Sequence, residues 1–434
     1  MFFVLESPVT MFKKTCIVFM TGVVCLTQVI AYSSDILSLE PLIEEARNHN
    51  PDILAARKRW EASRARIPLS KSLEDPNMAV TFERIPRGTL KLDRTMPDDR
   101  MLALSQFFPL FGKLSLKGKI AVVESQMFAA EYKAKELQVI NQVRNAYYDL
   151  FMNYKERVLM QESLILLEGI AKVAESKYSV GAFSQEEVYK IHLEVARLAN
   201  TVKNLELELS SKQTRLNTVL NRDPESSFGI PQLSEDVNFS ADIKSLYQLT
   251  VMNQPELLIF SLAVEKNRHA KSLAKKSFFP DLMASVVQRG ITSGALGPWD
   301  LMLSFNVPFW FWTKQKYEVK EAIASLEEAE AAHKAMQNKL FAEVKDLAVK
   351  IEIAKNKIAL SKNSLLPIVQ SSLEVSLAAF RSGKGDFMAL LDNQRMFIET
   401  KLQYYKALVE YDMNMADLER QVGGSLSERN HSTQ

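Results

Sequence analysis

A chain of 434 residues with only 14 glycines and 15 prolines is poor in turn formers and favours long, uninterrupted helices over loop-rich domains. The formal charge is +2, and removing residues 1–31, with Lys13, Lys14 and Glu6, would leave +1. So balanced a chain has no electrostatic footprint for nucleic acid, and a nucleic-acid partner is not expected.

In chain order the first element is an address. Lys13 and Lys14 precede an apolar run over residues 16–31, and Val29-Ile30-Ala31 offers a small residue at the cut. Residues 1–31 therefore read as a secretory signal peptide. Met11, which opens "MFKK", competes with Met1 as the start. Both cysteines, Cys16 and Cys25, fall inside the signal, so the mature chain is expected to lack disulfides and thiolate metal sites. Cys25 as a lipid-anchor cysteine is the alternative, opposed by the bulky Val24 before it.

Beyond the signal no apolar stretch reaches the ~20 residues of a membrane-spanning helix. A helical segment over 36–71 is followed by two alternating segments, about 76–86 and 99–109. In the first, Met78, Val80 and Phe82 interleave with Ala79, Thr81 and Glu83; in the second, Leu102, Leu104 and Phe108 interleave with Ala103, Ser105 and Phe107. Period two predicts strands. From 113 to 177 there is no proline, and at 1.5 Å per residue this helix would be a rod of about 100 Å. A return helix over 185–220 covers about half the rod, as does 36–71, so the two halves end to end would match it.

The second half of the chain follows the same plan. A helical segment over 241–276 leads to strands at about 280–290 and 299–309, then a rod over 313–379 bent near Pro367, then a return helix over 387–418. Asn50-Pro51-Asp52 recurs as Gln254-Pro255-Glu256, Asp75-Pro76-Asn77 as Phe279-Pro280-Asp281, Ser105 to Pro109 as Ser304 to Pro308, and Tyr178-x-x-Gly181 as Phe380-x-x-Gly383. Four landmarks in one order predict a duplicated unit: residues 32–232 with a helical hairpin about 112–220, residues 233–424 with a hairpin about 312–420, and a tail over 425–434. Val344, Leu347, Ile351, Ala354 and Ile358 form a 3-4-3-4 seam, while Val349, Ile353 and Leu360 form a second stripe on the same rod. Two seams call for a neighbour on each side, as in a cylinder of helices; a thick bundle is the plainer alternative.

The glycine tips are hairpin ends. Gly181 and Gly383 can take the left-handed conformation that stops a helix, and Ser184 and Asp386 can cap the next one. Ser184 and Glu187 form a capping box, with Phe183 and Val188 placed as its hydrophobic staple. The second tip has Gly385 and Ala389 in those places and is expected to be looser.

At this point the chain resembles the TolC-like outer-membrane efflux proteins, from about residue 36 to 422. The carriers are the duplicated plan, the N-P-D and Q-P-E helix starts, the junction "SQFFPLFGKLSLKGKIA", the segment "VRNAYYDL" at 143–150 and the Y/F-x-x-G turns. "FPLFGK" is most similar to the heavy-metal branch. The resemblance implies a mainly α fold with a transmembrane β-barrel: a homotrimer of four strands per chain in a twelve-stranded outer-membrane barrel, on a periplasmic α-helical barrel. It implies no enzyme and no cofactor, but the outer-membrane duct of a Gram-negative bacterium, working with a periplasmic adaptor and an inner-membrane pump of the RND type. It also implies that Tyr178, Gly181, Ser184, Phe380, Gly383 and Asp386 form an adaptor-docking tip, and that Asp392 in "MALLD" is a candidate gate. The cargo, with metal ions one class, is left open.

Other chemistry is sparse. His49, His192, His269, His333 and His431 lack ligand spacing, and no catalytic signature stands out. Glu327, Glu328 and Glu330 read as a solvated helix face. Trp299, Trp310 and Trp312 bracket the last strand and fit an interfacial aromatic girdle. The competing reading is a periplasmic coiled-coil scaffold or adaptor without a barrel, in which the strands would be ordinary hairpins on a soluble core.

Overall fold

The computed structural model describes residues 36–85, 96, 99–181, 183–240, 242–291 and 297–426. The chain divides into two units, 1–35 and 36–434, and every described residue belongs to the second. The signal segment with Cys16 and Cys25, the histidine at 431 and parts of both strand linkers lie outside the described residues.

The elements in order are β1 (Ile36–Leu37), α1 (Leu39–His49), α2 (Pro51–Lys71), β2 (Asn77–Phe82), β3 (Arg100–Phe108), α3 (Lys113–Ser179), α4 (Gln185–Leu220), β4 (Ile230–Pro231), α5 (Ile243–Asn253), α6 (Pro255–Lys276), β5 (Leu282–Arg289), β6 (Trp299–Phe305), α7 (Gln315–Leu360), α8 (Leu366–Arg381) and α9 (Phe387–Val422). The spine is α3, 67 residues long and therefore about 100 Å. It packs against α1, α2, α4, α6 and α9, while α7 packs against α5, α6 and α9.

The half-length helices meet end to end through their proline motifs. Asn50 caps α2 by accepting from the amides of Asp52 (2.9 Å) and Ile53 (3.3 Å), and its own amide nitrogen donates to the Val219 carbonyl at the end of α4 (2.8 Å). Pro51, at the first helical position, lacks an N–H that would have been an orphan there anyway. Gln254 repeats the device: it accepts from the Glu256 amide (3.4 Å) and donates to the Arg420 carbonyl at the end of α9 (3.3 Å). Each segment expected as one helix, over 36–71 and 241–276, is thus two helices divided at this residue.

A short ladder not visible in the alternation pattern ties β1 to β4, in parallel, over two residues. The Tyr147 hydroxyl holds both segments against α3, lying 2.8 Å from the Leu37 carbonyl and 2.6 Å from that of Gln232, and accepting from the Gln232 amide at 2.9 Å. Tyr147 belongs to the "VRNAYYDL" segment, whose Val143, Ala146, Tyr147 and Leu150 are all in the core with Leu42, Ile43 and Leu216.

Where a bend is expected near Pro367 the structure has a π turn, Ser361–Leu365, between α7 and α8. Proline has no N–H and its ring presses on the carbonyl four residues back, and a widened turn relieves both problems. Segments of 46, 5 and 16 residues in succession match the 67 of α3. The seam Val344, Leu347, Ile351, Ala354 and Ile358 is buried against Tyr404, Ala407, Leu408 and Tyr411 of α9. The second stripe has no such cover: Val349, Ile353 and Leu360 are exposed, and Ile368 and Val375 of α8 are exposed too.

Candidate functional site

The four long strands form one antiparallel sheet in the order β2-β3-β5-β6. Residues paired across an antiparallel ladder share a face, so the register sorts every side chain. One face carries Met78, Leu104, Val286 and Leu301 in one row and Val80, Leu102, Gln288 and Trp299 in the next, with Ala284, Leu303, Leu282 and Phe305 continuing it. The other carries Asn77, Ser105, Ser285, Ser304, Thr81 and Asp300 among small and apolar residues, with a Ser285–Ser105 hydroxyl bond of 2.7 Å and an Arg289–Asp300 ion pair of 2.8 Å. The apolar face is not packed on a core: Met78, Val80, Leu104, Val286, Leu301, Leu303 and Phe305 are all exposed. The reading of two hairpins on a soluble core therefore fails in this chain. Trp299 stands at one end of β6, and Trp310 and Trp312, in contact with each other (5.9 Å between centroids), stand beyond the other.

At the far end of the rods the two tips form one packed unit. Gly181 closes α3 with φ +73 and Gly383 closes α8 with φ +77, a left-handed backbone that side-chain-bearing residues adopt at a cost. Ser184 forms the expected box, its hydroxyl accepting from the Glu187 amide (3.2 Å) while the Glu187 carboxylate accepts from the Ser184 amide (3.0 Å). Asp386 caps α9 by accepting from the Ala389 amide (3.3 Å).

The second tip differs from the expectation of a looser turn. Gly385 lies so close to the preceding helix end that an added Cβ would fall 2.8 Å from the Ala379 carbonyl carbon and the Phe380 nitrogen, and the amides of Lys384 and Gly385 both donate to the Ala379 carbonyl at 3.0 Å. Phe380 and Phe387 are fully buried with Leu390 and Ile191, and Phe183 of the first tip meets Phe380 edge-on at 5.8 Å. Lys177 then crosses between hairpins, donating to the Phe380 carbonyl (2.6 Å) with its ammonium 4.8 Å from the ring centroid. The sequence pairing of Tyr178 with Phe380 consequently splits: Tyr178 is 46% exposed and Phe380 1%. Phe380 offers no surface to a partner, because the end of α8 is buried under the first hairpin, and it shapes the tip from inside.

Asp392 lies on α9 two turns beyond this tip, exposed, and without a polar partner among the described residues. Its neighbours fasten α9 in place. Asn393 accepts from the Ser372 hydroxyl (2.8 Å), Gln394 donates to the Ser163 hydroxyl (2.6 Å), and Arg395 pairs with Glu194 of α4 (2.8 Å). The last two ties border a cavity of about 660 Å³ between α3, α4 and α9, apolar at Met152, Met160, Leu198 and Leu402. Sequence reasoning missed it, since its lining comes from three helices far apart in the chain. Glu156 on its rim has a carboxyl raised by burial and then by the nearby Glu208. Among the described residues no group of three or more His, Cys, Asp or Glu side chains could hold a metal, and no helix is long and apolar enough to cross a membrane.

Together the rods, the capped tips and a four-stranded sheet with an uncovered apolar face define a mainly helical unit over residues 36–434. The family model of the outer membrane efflux protein matches residues 42–222 and 246–424, and the chain belongs to that family. The cobalt-zinc-cadmium resistance protein CzcC of Cupriavidus metallidurans is 19% identical over 393 residues, 89% of this chain and 90% of its own. The fusaric acid resistance protein FusA of Burkholderia cepacia is 24% identical over 270 residues, 59% of this chain and about half (51%) of its own length. Among solved structures, the outer membrane protein VceC of Vibrio cholerae matches with a TM-score of 0.75 at 16% identity, over 89% of this chain and 96% of its own, and so shares the fold.

Proposed function

We propose that this outer-membrane efflux protein is the exit duct of a tripartite system, with its sheet in the outer membrane of a Gram-negative bacterium and its rods in the periplasm. The observation that carries the reading is the sheet itself, whose apolar face is uncovered and whose edge strands β2 and β6 each have one partner among the described residues. Four strands are too few to close on themselves around a channel, and a bilayer tolerates no open edge, so further copies must complete the barrel. Three chains would give twelve strands. The uncovered stripe on α7 and α8 supports the same assembly, since it supplies the second contact that a cylinder of helices needs. The element order helix, helix, strand, strand, rod, return helix occurs twice, which supports a duplicated unit over 32–232 and 233–424.

In this assembly the tips with Tyr178, Gly181, Ser184, Gly383 and Asp386 face a periplasmic adaptor, Phe380 sets their shape, and an inner-membrane pump of the RND type loads the duct. Three copies of Asp392 at one level would form a cation-attracting ring as the gate. The metal-resistance name of one relative and the "FPLFGK" junction favour metal ions as cargo. The scaffold alternative leaves the whole apolar sheet face in water. Fractionation separates the two: the protein is expected to stay with outer membranes through high-salt and carbonate washing, and its release into the wash would overturn the barrel.

A further inference from the structure

The junctions between strands and helices carry aromatic residues and lysines that neither the sheet nor the rods use. Phe111, Phe278, Phe279, Phe309, Trp310 and Trp312 are all exposed. They lie at one end of the sheet, because Asp281 gathers the junctions: its carboxylate accepts from the Leu110 amide (3.0 Å) and from Lys113 (2.8 Å), and its backbone carbonyl accepts from the Asn306 amide (3.3 Å). Phe111 and Phe279 touch, with centroids 4.8 Å apart, and Phe309, Trp310 and Trp312 form an edge-to-face cluster. Lysines flank these rings on both sides in sequence, Lys275 and Lys276 before Phe278 and Lys314 and Lys316 after Trp312.

We propose that this belt binds the headgroups of anionic phospholipids in the periplasm-facing leaflet, which fixes the height of the duct in the membrane; the inference rests on the barrel reading above. The exposed aromatic cluster begins four residues past the end of β6, and amphipathic rings of this kind settle at headgroup depth. Lysine stems lie along the apolar surface and carry their charge outward, to the level of the phosphates. Of the lysines here only Lys113 is neutralised, by Asp281. Lys276 donates to the Phe111 carbonyl, and Lys275, Lys314 and Lys316 have no ion pair among the described residues. Glu74, Asp75 and Glu318 are the other acidic groups in the junction segments, so the belt stays net positive. A soluble anion would satisfy the lysines but leave the rings in water, whereas a phospholipid satisfies both.

The test uses the full chain with Trp60→Phe and Trp299→Phe, so that only Trp310 and Trp312 report, in phosphatidylcholine nanodiscs doped with brominated phosphatidylglycerol or brominated phosphatidylcholine. Half-quenching is expected at least about threefold lower in the anionic lipid, and the preference should vanish in Lys275→Gln/Lys314→Gln/Lys316→Gln, with the single variants graded between should the triple variant fail to assemble. Equal quenching by both lipids, an unchanged preference in the lysine variants, or loss of the preference on adding millimolar inorganic phosphate would each overturn the site while leaving the barrel standing. Quenching by neither lipid would overturn the barrel and the belt together.

Discussion

Asn50 and Gln254 each satisfy two helix ends with one side chain, the oxygen serving the helix that starts and the nitrogen the helix that stops. Their amide chemistry explains why the motif is N-P-D in one place and Q-P-E in the other, since a carboxylate there could cap but not donate. Gly181 and Gly383 act through backbone conformation alone. Among the described residues nothing lies within 4 Å of a Cβ built on Gly181, and only the Lys177 ammonium, at 3.9 Å, approaches one built on Gly383. Gly181→Val or Gly383→Val should therefore cost about 1–2 kcal/mol of local strain without a clash. Trimers should still reach the membrane while crosslinking to the adaptor falls, and undiminished crosslinking would separate the tips from docking. Asp412 of α9 is a different kind of residue, a carboxyl that burial pushes up to about 7. The folded state keeps its proton between about pH 4 and 7, where the unfolded chain has released it. Stability from this group is thus highest at the acid end of that window and falls as pH rises through it. Asp412→Asn should flatten the slope and raise stability at pH 8 by about 1–3 kcal/mol, measured as thermal midpoints across pH; an unchanged slope would place the titration elsewhere.

Among the elements, the strands and the seam on α7 were legible because a strict period needs no knowledge of the partner. The capping box at Ser184 was legible for the same reason, being complete within four residues. What escaped the sequence depends on contacts between distant segments. The ladder of β1 with β4 is too short to show a period, and the burial of Phe380 follows from Lys177 and Phe183, some two hundred positions away. Gly385 looked like a missing staple residue, yet its lack of a side chain is what lets the second tip fold back onto Ala379. The sheet offers a direct test at this scale. Val80→Arg, Leu303→Arg or Phe305→Arg, on the apolar face, should destabilise assembly by roughly 2–4 kcal/mol where the residue lies near mid-membrane, while Thr81→Arg and Ser304→Arg on the opposite face should be tolerated. Heat-resistant trimers on gels would read this out, and equal tolerance of both sets would contradict the assignment of faces.

At the scale of the whole molecule, one chain is incomplete in two ways that point to the same cure. Among the described residues its sheet ends in unpaired edges, and the rod of α7 and α8 carries an apolar stripe that no helix covers. In the proposed assembly both would be satisfied when copies close around an axis, giving a duct with the barrel at one end and the tips at the other. Asp392, exposed and without a polar partner among the described residues, would in that assembly be one of three carboxylates around the axis. Single-channel recording in a planar bilayer tests this account most directly. The purified protein should give discrete, cation-selective conductance steps that hexamminecobalt blocks from the periplasmic side, with block and selectivity both reduced in Asp392→Asn. Equal block and selectivity in the two proteins would take the gate away from Asp392, and the absence of any discrete conductance from correctly assembled protein would contradict the duct itself.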